Sequence, residues 1–479
     1  MGEILNDFTL EFNGSVKVEA REERLTAEAG AVVPREVDER LGLSRWLGEK
    51  PRDTRDEKRI THGLRELVRT RVLPLARGWR DNDDADALRQ DAALRLAVSD
   101  SKSTGPLKPR EGEAEGLASQ PTLSRLVAML AKEDNRERPH EALVWLTGRR
   151  LRAQRGEGKK LQQVALDVDG LPVEVHGKQP GSEYNGHYAV RMYHPLIASI
   201  AETGDILDVR PREGNAHSAS GGLDFLEQLP PRVEKEVCEV AAVRFDAAFP
   251  EDKPLSWLEE RNTHYVARVR DTSVLKLEAA LPRFSHSGVP MGKPGTFLYE
   301  WEYQARGWSR PRRVVLVPRR TEGELFPNAF WLVTSWTKER RPAEALLEHY
   351  RERGTAEGHF GELMDVPSPA LSSAPRPKSK YRGREPVRRC EPIDAFANNE
   401  VRPLLNALAY NLAHAARVLM EQATGEGWGL RRVRERVLKV AARVLLHARR
   451  VVLVIGRESA SLWRKPWSRL GALSTAHVT

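Results

Sequence analysis

Cysteine is nearly absent: Cys238 and Cys390 stand alone in 479 residues. A disulfide framework and a thiolate zinc site are therefore excluded. Thirteen histidines are present, but none stand at metal-ligand spacing, which argues against zinc altogether. No run approaches the roughly 18 apolar residues of a membrane-crossing helix. The opening residues, Met1 to Phe8, lack the basic and apolar regions of a secretory signal. Acidic excess is missing too: Lys and Arg number 77 against 68 Asp and Glu, for a net charge of +9. These absences point to a soluble cytoplasmic protein with no membrane partner. The basic excess fits a polyanionic partner, because Lys and Arg that neutralise phosphates release condensed counterions.

Hydrophobic residues make up 40% and charged residues 30% of the chain, enough for a sizeable core under a wet surface. Phe8–Val18 reads as a short strand. Over 51–98, Leu64, Leu67 and Val68, then Val72, Leu75 and Ala76, recur at helical spacing, with arginines on the polar faces. Ser99–Gly116 reads as a linker, and Pro121 marks the first turn of a helix capped by Ser119 or Thr122. Strands are expected at Gln162–Asp169, Val173–His176, Tyr188–Tyr193, Ile206–Val209 and Val237–Phe245, with a helix from Gly222. Alternating runs at His264–Val269, Thr296–Tyr303, Arg313–Val317 and Ala329–Thr334 predict a β-rich stretch. Pro342–Leu363 reads as helix, Pro367–Pro392 as an exposed basic loop, Phe396–Met420 as a long apolar helix and Leu430–Leu446 as an Arg-studded helix. The acidic run Asp81–Asp86 lacks a calcium-loop pattern and reads as a loop with a helix cap.

Three places bear chemistry. In Ala165-Leu166-Asp167-Val168-Asp169-Gly170, carboxylates two apart on a strand share a face and sit just before a turn. The same pattern is also that of an Asp-Gly hairpin turn. In Val240-Ala241-Ala242-Val243-Arg244-Phe245-Asp246, an apolar strand ends on an acid, which could equally cap a following helix. Tyr350, Arg353 and Glu357 fall within about one 60° sector of a helix. That trio suits a phosphate beside a metal; Arg353 and Glu357 alone would also make an ordinary i,i+4 salt bridge. Taken together, two carboxylates at strand ends and one on a late helix form the pattern of a two-metal nuclease site, with hard oxygens for Mg²⁺.

The order of these segments resembles a family, the bacterial insertion-sequence transposases of the DDE class, in the subgroup with a Tyr-x2-Arg-x3-Glu signature. The segments that carry the resemblance run from Leu117 to Val451. They include Leu117 to Arg125; Leu166 to Gly170 with Val175-His176-Gly177-Lys178-Gln179; His194-Pro195-Leu196; Gly214-Asn215-Ala216-His217; Arg244-Phe245-Asp246; Tyr350 to Glu357; and Asn398 to Leu412. The resemblance implies an α/β fold, an RNase H-like catalytic core interrupted by a β-strand-rich insertion, with helical N-terminal and C-terminal regions. It divides the chain into a basic DNA-binding region and linker at 1–115, core at 116–254, insertion at 255–340, core at 341–420 with a basic loop at 366–392, and a C-terminal helical region at 421–479.

The resemblance further implies Asp169, Asp246 and Glu357 as the catalytic and metal-binding triad, with Asp167 the alternative first Asp. They would hold two Mg²⁺ ions, for which Mn²⁺ can substitute. Tyr350 and Arg353 would contact phosphate near the element end, and Trp331 would stack on a flipped base. Arg376, Lys378, Lys380 and Arg382 would add phosphate contacts, and Arg59, Arg65 and Arg69 are candidates for reading the terminal repeat. The implied partners are DNA, as terminal inverted repeats and target, and a second copy of the chain in a synaptic complex. The implied reaction is cleavage at those repeats and joining of the 3′ ends to target DNA. Two positions depart from the family pattern: Leu171 stands where relatives carry Thr or Ser, and Met364 where many carry Lys. They keep two alternatives open, a catalytically inactive DNA-binding derivative and a metal-dependent nuclease without strand transfer.

Overall fold

The computed structural model describes residues 3–4, 11–16, 19–20, 22–108, 115–154, 161–177, 179–216, 220–246, 250–269, 295–320, 328–373, 392–471 and 473. Its centre is a nine-stranded mixed sheet. The strands are β1 (Gln163–Gly170), β2 (Leu196–Ile200), β3 (Ile206–Arg210), β4 (Glu239–Phe245), β5 (His264–Val269), β6 (Gly295–Thr296), β7 (Tyr299–Tyr303), β8 (Arg312–Arg320) and β9 (Asn328–Thr334). In space they run β6-β8-β9-β5-β4-β1-β2-β3, with β7 paired to β8. β1 is parallel to β4, and β4 to β5. β2 is antiparallel to both β1 and β3. The strands after β5 extend that edge in antiparallel register.

The two-residue period of a strand sorts the side chains. Val164, Leu166 and Val168 of β1 face one layer with Val243 and Phe245 of β4, and there Phe225, Leu226 and Leu229 of helix α1 (Gly222–Glu236) cover them. Ala165 and Ala242 face the other layer, where Leu346 and Leu347 of helix α2 (Ala343–Arg351) pack. Further along that second face, Ile197, Ile206 and Val209 meet Leu404, Leu405 and Leu408 of helix α4 (Pro392–Thr424). Asp167, Asp169, Arg244 and Asp246 share the parity of Ala165 and Ala242, so they lie on the face covered by α2 and α4. β2 was not foreseen as a strand. Its Leu-Ile-Ala-Ser-Ile run is buried throughout, as expected of an inner strand covered on both faces, and so it shows no alternation.

One side chain ties α4 to the sheet. Asn411 accepts from Ile206 N–H at 3.0 Å and donates to Ile206 C=O at 2.7 Å, both within the interior. Asn411→Ala strands two buried backbone groups, so about 2–4 kcal/mol of stability should be lost in a urea titration. A change below about 0.5 kcal/mol would show that water replaces the side chain.

The N-terminal helices do not stand apart. Val33, Val37, Leu67 and Val68 join one apolar cluster with Leu404, Leu408 and Leu438. The Leu430–Leu446 helix is a correction: helix covers only Leu430–Val433 and turns into a π-helical stretch at Arg434–Leu438. Ala442–His447 and Arg450–Ile455 then form an antiparallel hairpin that also pairs with Leu25–Thr26. The period changes to two here, burying Val440, Ala442 and Val444 while Arg443 and Leu445 stay exposed. The Phe8–Val18 strand is a second correction: its described residues, 11–16, form turns, the rest lie outside the described residues, and the pairing is instead Glu3–Ile4 with Glu19–Ala20.

Candidate active site

β1 and β4 end side by side. Their last paired residues are Val168 and Phe245, and the next positions are Asp169 and Asp246. Asp169 Oδ1 accepts from the Gly170 N–H at 2.8 Å. Gly170 is required to lack a side chain, since a Cβ there would lie 2.5 Å from His194 Nε2. Asp246 does not cap the next helix, which begins at Asp252 after Glu251.

The expected single helix through Tyr350 and Glu357 is broken. α2 ends at Arg351, and helix α3 begins at Gly354 and runs to Asp365. Tight bonds bridge the break: Arg353 N–H to Tyr350 C=O at 3.1 Å and Ala356 N–H to Arg353 C=O at 2.9 Å. These are i to i+3 contacts, which tighten a helix end and re-aim its axis. Arg353 keeps helical dihedrals at the break and projects toward β1. Glu357 lies in the first turn of α3, where the helix dipole favours a carboxylate.

Arg353 draws these pieces together. Its Nη2 donates to Asp169 Oδ2 at 2.5 Å and its Nη1 to Glu357 Oε1 at 2.8 Å. The i,i+4 bridge to Glu357 weighed from spacing is therefore present, and it reaches Asp169 as well. The Arg353 side chain is 9% exposed, Asp169 19% and Glu357 59%, so the cluster opens to solvent on the Glu357 side. Burial pushes the Asp169 carboxyl up to about 6; Asp246 and Glu357 push the same way and Arg353 opposes them. Burial raises Tyr350 to about 12, with Arg353 and Arg268 opposing and Asp246 and Asp169 reinforcing.

Asp167 has a different environment. Arg244 grips it twice, Nε to Oδ1 at 2.5 Å and Nη2 to Oδ2 at 2.7 Å, with both side chains 2% exposed. Arg244 Nη1 also donates to His349 C=O at 2.8 Å and to Glu352 Oε2 at 3.1 Å. This pair fastens α2 to the sheet and commits both Asp167 oxygens to Arg244. Of the two open candidates, Asp169 is the one in the cluster.

Two residues at the site had not been singled out as site residues. Tyr188 is partly exposed, and its hydroxyl is held above the usual range by burial and by Asp169 and Asp246. His194 stacks edge-on with Tyr188 at 5.9 Å, and burial lowers it to about 4, so it is neutral at neutral pH. Both lie in the segment between β1 and β2, which forms a small antiparallel sheet of Val173–Glu174, Glu183–Asn185 and Val190–Tyr193, and their nearness to β1 is not encoded by sequence spacing.

Other expected contacts fall elsewhere. Trp331 is 2% exposed and packs edge-to-face with Trp301 at 5.0 Å, on the sheet face away from Asp169. It is a core residue with no face free for a base. Its neighbour Phe330 points the other way and lies 6.3 Å from the Tyr350 ring. Trp331→Ala should therefore cost about 3–5 kcal/mol of folding stability, read by thermal or urea unfolding. A stable Trp331→Ala protein with altered DNA handling would reverse this assignment.

Arg69 is likewise interior, bound to Asp38, Ser44 and Asp100, and so cannot read a groove. Arg65 pairs with Glu49 and Asp100 and is partly exposed; Arg59 is 88% exposed beside Asp56. Met364 packs half-buried against the core and Leu171 is buried. Arg376, Lys378, Lys380 and Arg382 lie outside the described residues.

Among the described residues no three His, Cys, Asp or Glu side chains converge closely enough to hold a metal ion. Between two of the candidate carboxylates, Asp169 and Glu357, stands the Arg353 guanidinium. The donor set suits a hard divalent cation in its chemistry: Asp169, Asp246 and Glu357 offer only oxygen, and the charges of Asp246 and Glu357 reach the Asp169 carboxyl. No helix among the described residues is long and apolar enough to cross a membrane.

A sequence model of the family described as transposase DDE domain group 1 matches residues 8–365. No curated protein gives a significant match. Among solved structures, the cryo-EM structure of a piggyBac transposase synaptic complex with hairpin DNA is similar, with 11% identity and a TM-score of 0.38 over 94% of this chain and 86% of that chain.

Proposed function

The chain belongs to the transposase DDE domain group 1 family, and we propose that it cuts DNA at the terminal inverted repeats of a bacterial insertion sequence and joins the 3′ ends to target DNA. One observation carries the reading: Asp169 and Asp246 follow the last register pair of two parallel neighbours, and Arg353 links Asp169 to Glu357. The strand order β3-β2-β1-β4-β5, with β2 alone reversed, supports an RNase H-like core. The antiparallel β6–β9 extension, between β5 and α2, supports a β-rich insertion within 255–340.

Asp169, Asp246 and Glu357 are the carboxylates that would hold divalent cations, Mg²⁺ in two copies on this reading, with Mn²⁺ as substitute. Such ions supply Lewis acidity and an activated oxygen nucleophile for an in-line phosphodiester displacement. The protein supplies position. Gly170 and His194 fix the end of β1, and the Arg244–Asp167 pair sets α2 against it. Tyr350 and Arg353 present a hydroxyl and a guanidinium to phosphate, a bidentate fit for Arg. Phe330, on the same face, replaces Trp331 as the aromatic on which a base would stack. Exposed Arg59 and the basic loop at 366–392 are the remaining phosphate contacts of this reading. Synapsis of two ends calls for a homodimer, acting in the cytoplasm on the nucleoid.

The test is a labelled duplex carrying the repeat that brackets the coding sequence, incubated with protein and Mg²⁺ or Mn²⁺. Metal-dependent nicking at the repeat end, followed by joining to a second DNA, is the expected result. Nicking without joining would leave a nuclease. Binding without nicking would leave the inactive derivative that Leu171 and Met364 keep open.

A further inference from the structure

Arg353 is held in an arrangement that uses only part of its hydrogen-bonding capacity. Nη1 and Nη2 are committed to Glu357 and Asp169 at 2.8 and 2.5 Å. Nε is buried and has no acceptor. A buried donor without a partner is unfavourable, and a guanidinium presents its five N–H groups in a fixed fork. The side chain springs from the break between α2 and α3, the point where this segment leaves continuous helix. The carboxylates of Asp169, Asp246 and Glu357 all favour its charged form, a setting in which one cation serves several anionic groups.

A guanidinium held on Asp169 Oδ2 and Glu357 Oε1 and a divalent cation between the same two carboxylates repel each other and compete for their negative charge. We infer that Arg353 is a resident counter-cation, which neutralises Asp169 and Glu357 before the metal arrives, competes with the metal for them, and on release offers its fork to a DNA phosphate. The inference rests on the carboxylate-site reading above and adds an order to it: metal loading frees the phosphate-binding group. Because binding couplings are reciprocal, bound DNA must in turn tighten metal binding by the same factor. Arg353 is thus a positioning residue for the two carboxylates as well as a phosphate contact.

The test uses full-length, DNA-free protein and Mn²⁺, followed by isothermal titration calorimetry or by the free-Mn²⁺ paramagnetic resonance signal. Arg353→Gln should bind Mn²⁺ about tenfold more tightly than the unaltered protein, since the competitor is gone. Arg353→Lys, with one point charge that cannot bridge both carboxylates, should fall between them, and it keeps the test open should the Gln variant fold poorly. A repeat-end duplex should strengthen Mn²⁺ binding to the unaltered protein and do so much less in Arg353→Gln. Equal or weaker Mn²⁺ binding by both variants would overturn the competition. Asp169→Asn separates the two levels. Mn²⁺ binding that Asp169→Asn weakens and Arg353→Gln leaves unchanged removes only the role of Arg353. Binding indifferent to Asp169→Asn removes the carboxylate site, and this inference with it.

Discussion

Asp246→Asn is expected to lower repeat-end cleavage by on the order of a thousandfold or more, while the protein stays folded and still binds the repeat duplex. The substitution keeps shape and removes one charge. Asp246 follows Phe245, the last residue of β4 paired to β1, and Asp169 follows Val168 opposite it. Asp246 is one of the charges that hold the Asp169 carboxyl up near 6. Deleting that charge relieves repulsion, so stability should stay level or rise slightly while activity is lost. That divergence marks a functional carboxylate, because a structural one would lose stability first. Cleavage that persists within about tenfold of the unaltered protein would take Asp246 out of the site.

Arg244→Ala should be the most destabilising single change near the site, by about 3–5 kcal/mol in urea unfolding. Its guanidinium is 2% exposed and makes two bonds to Asp167, one to the His349 carbonyl and one to Glu352. Removing it leaves a buried carboxylate with no counter-charge and detaches α2 from the sheet. Burial already raises the Asp167 carboxyl even with Arg244 beside it, so the uncompensated acid would be costlier still. The double variant Arg244→Met with Asp167→Leu should recover most of the loss, since an apolar pair of similar volume avoids desolvating two charges. Failure of the double variant to recover would mean that the bonds to His349 and Glu352, and not the ion pair, hold this joint. Asp169→Asn offers the contrast: it should cost much less stability, since the amide oxygen can still accept from Arg353 and Glu357 keeps a counter-charge beside it, and it should remove activity. The two carboxylates, two residues apart on one strand, would thus be separated by experiment.

Much of the candidate site was legible because its pattern is local. Asp169 and Asp246 end apolar strands, and Glu357 follows Arg353 by one helical turn. Each of these is a short-range pattern, and the structure brings all three to one face of the sheet. The strands at 163–170, 206–210 and 239–245 followed from apolar runs bounded by turns, and so did the long helix at 392–424. What failed was of another kind. Trp331 and Phe330 are adjacent in a strand, and which one faces Tyr350 depends on register, which a β pairing sets and composition does not. Arg69 sits among surface-like arginines in sequence, and only Asp38, Ser44 and Asp100, brought in from other segments, make it interior.

The sequence by itself determined the residue types, their order and the period of each segment: which positions alternate, which repeat at helical spacing, and where carboxylates end a strand. Those follow from backbone geometry over a few residues. Tertiary structure alone decided which of Asp167 and Asp169 faces the cluster, where the helix before Glu357 breaks, and that Arg353 spans both carboxylates. Each of these depends on a partner far away in the chain, Arg244 for Asp167 and Asp169 for Arg353. Such pairings are chosen by burial and charge in the folded interior, where an unpaired ion is too costly to keep.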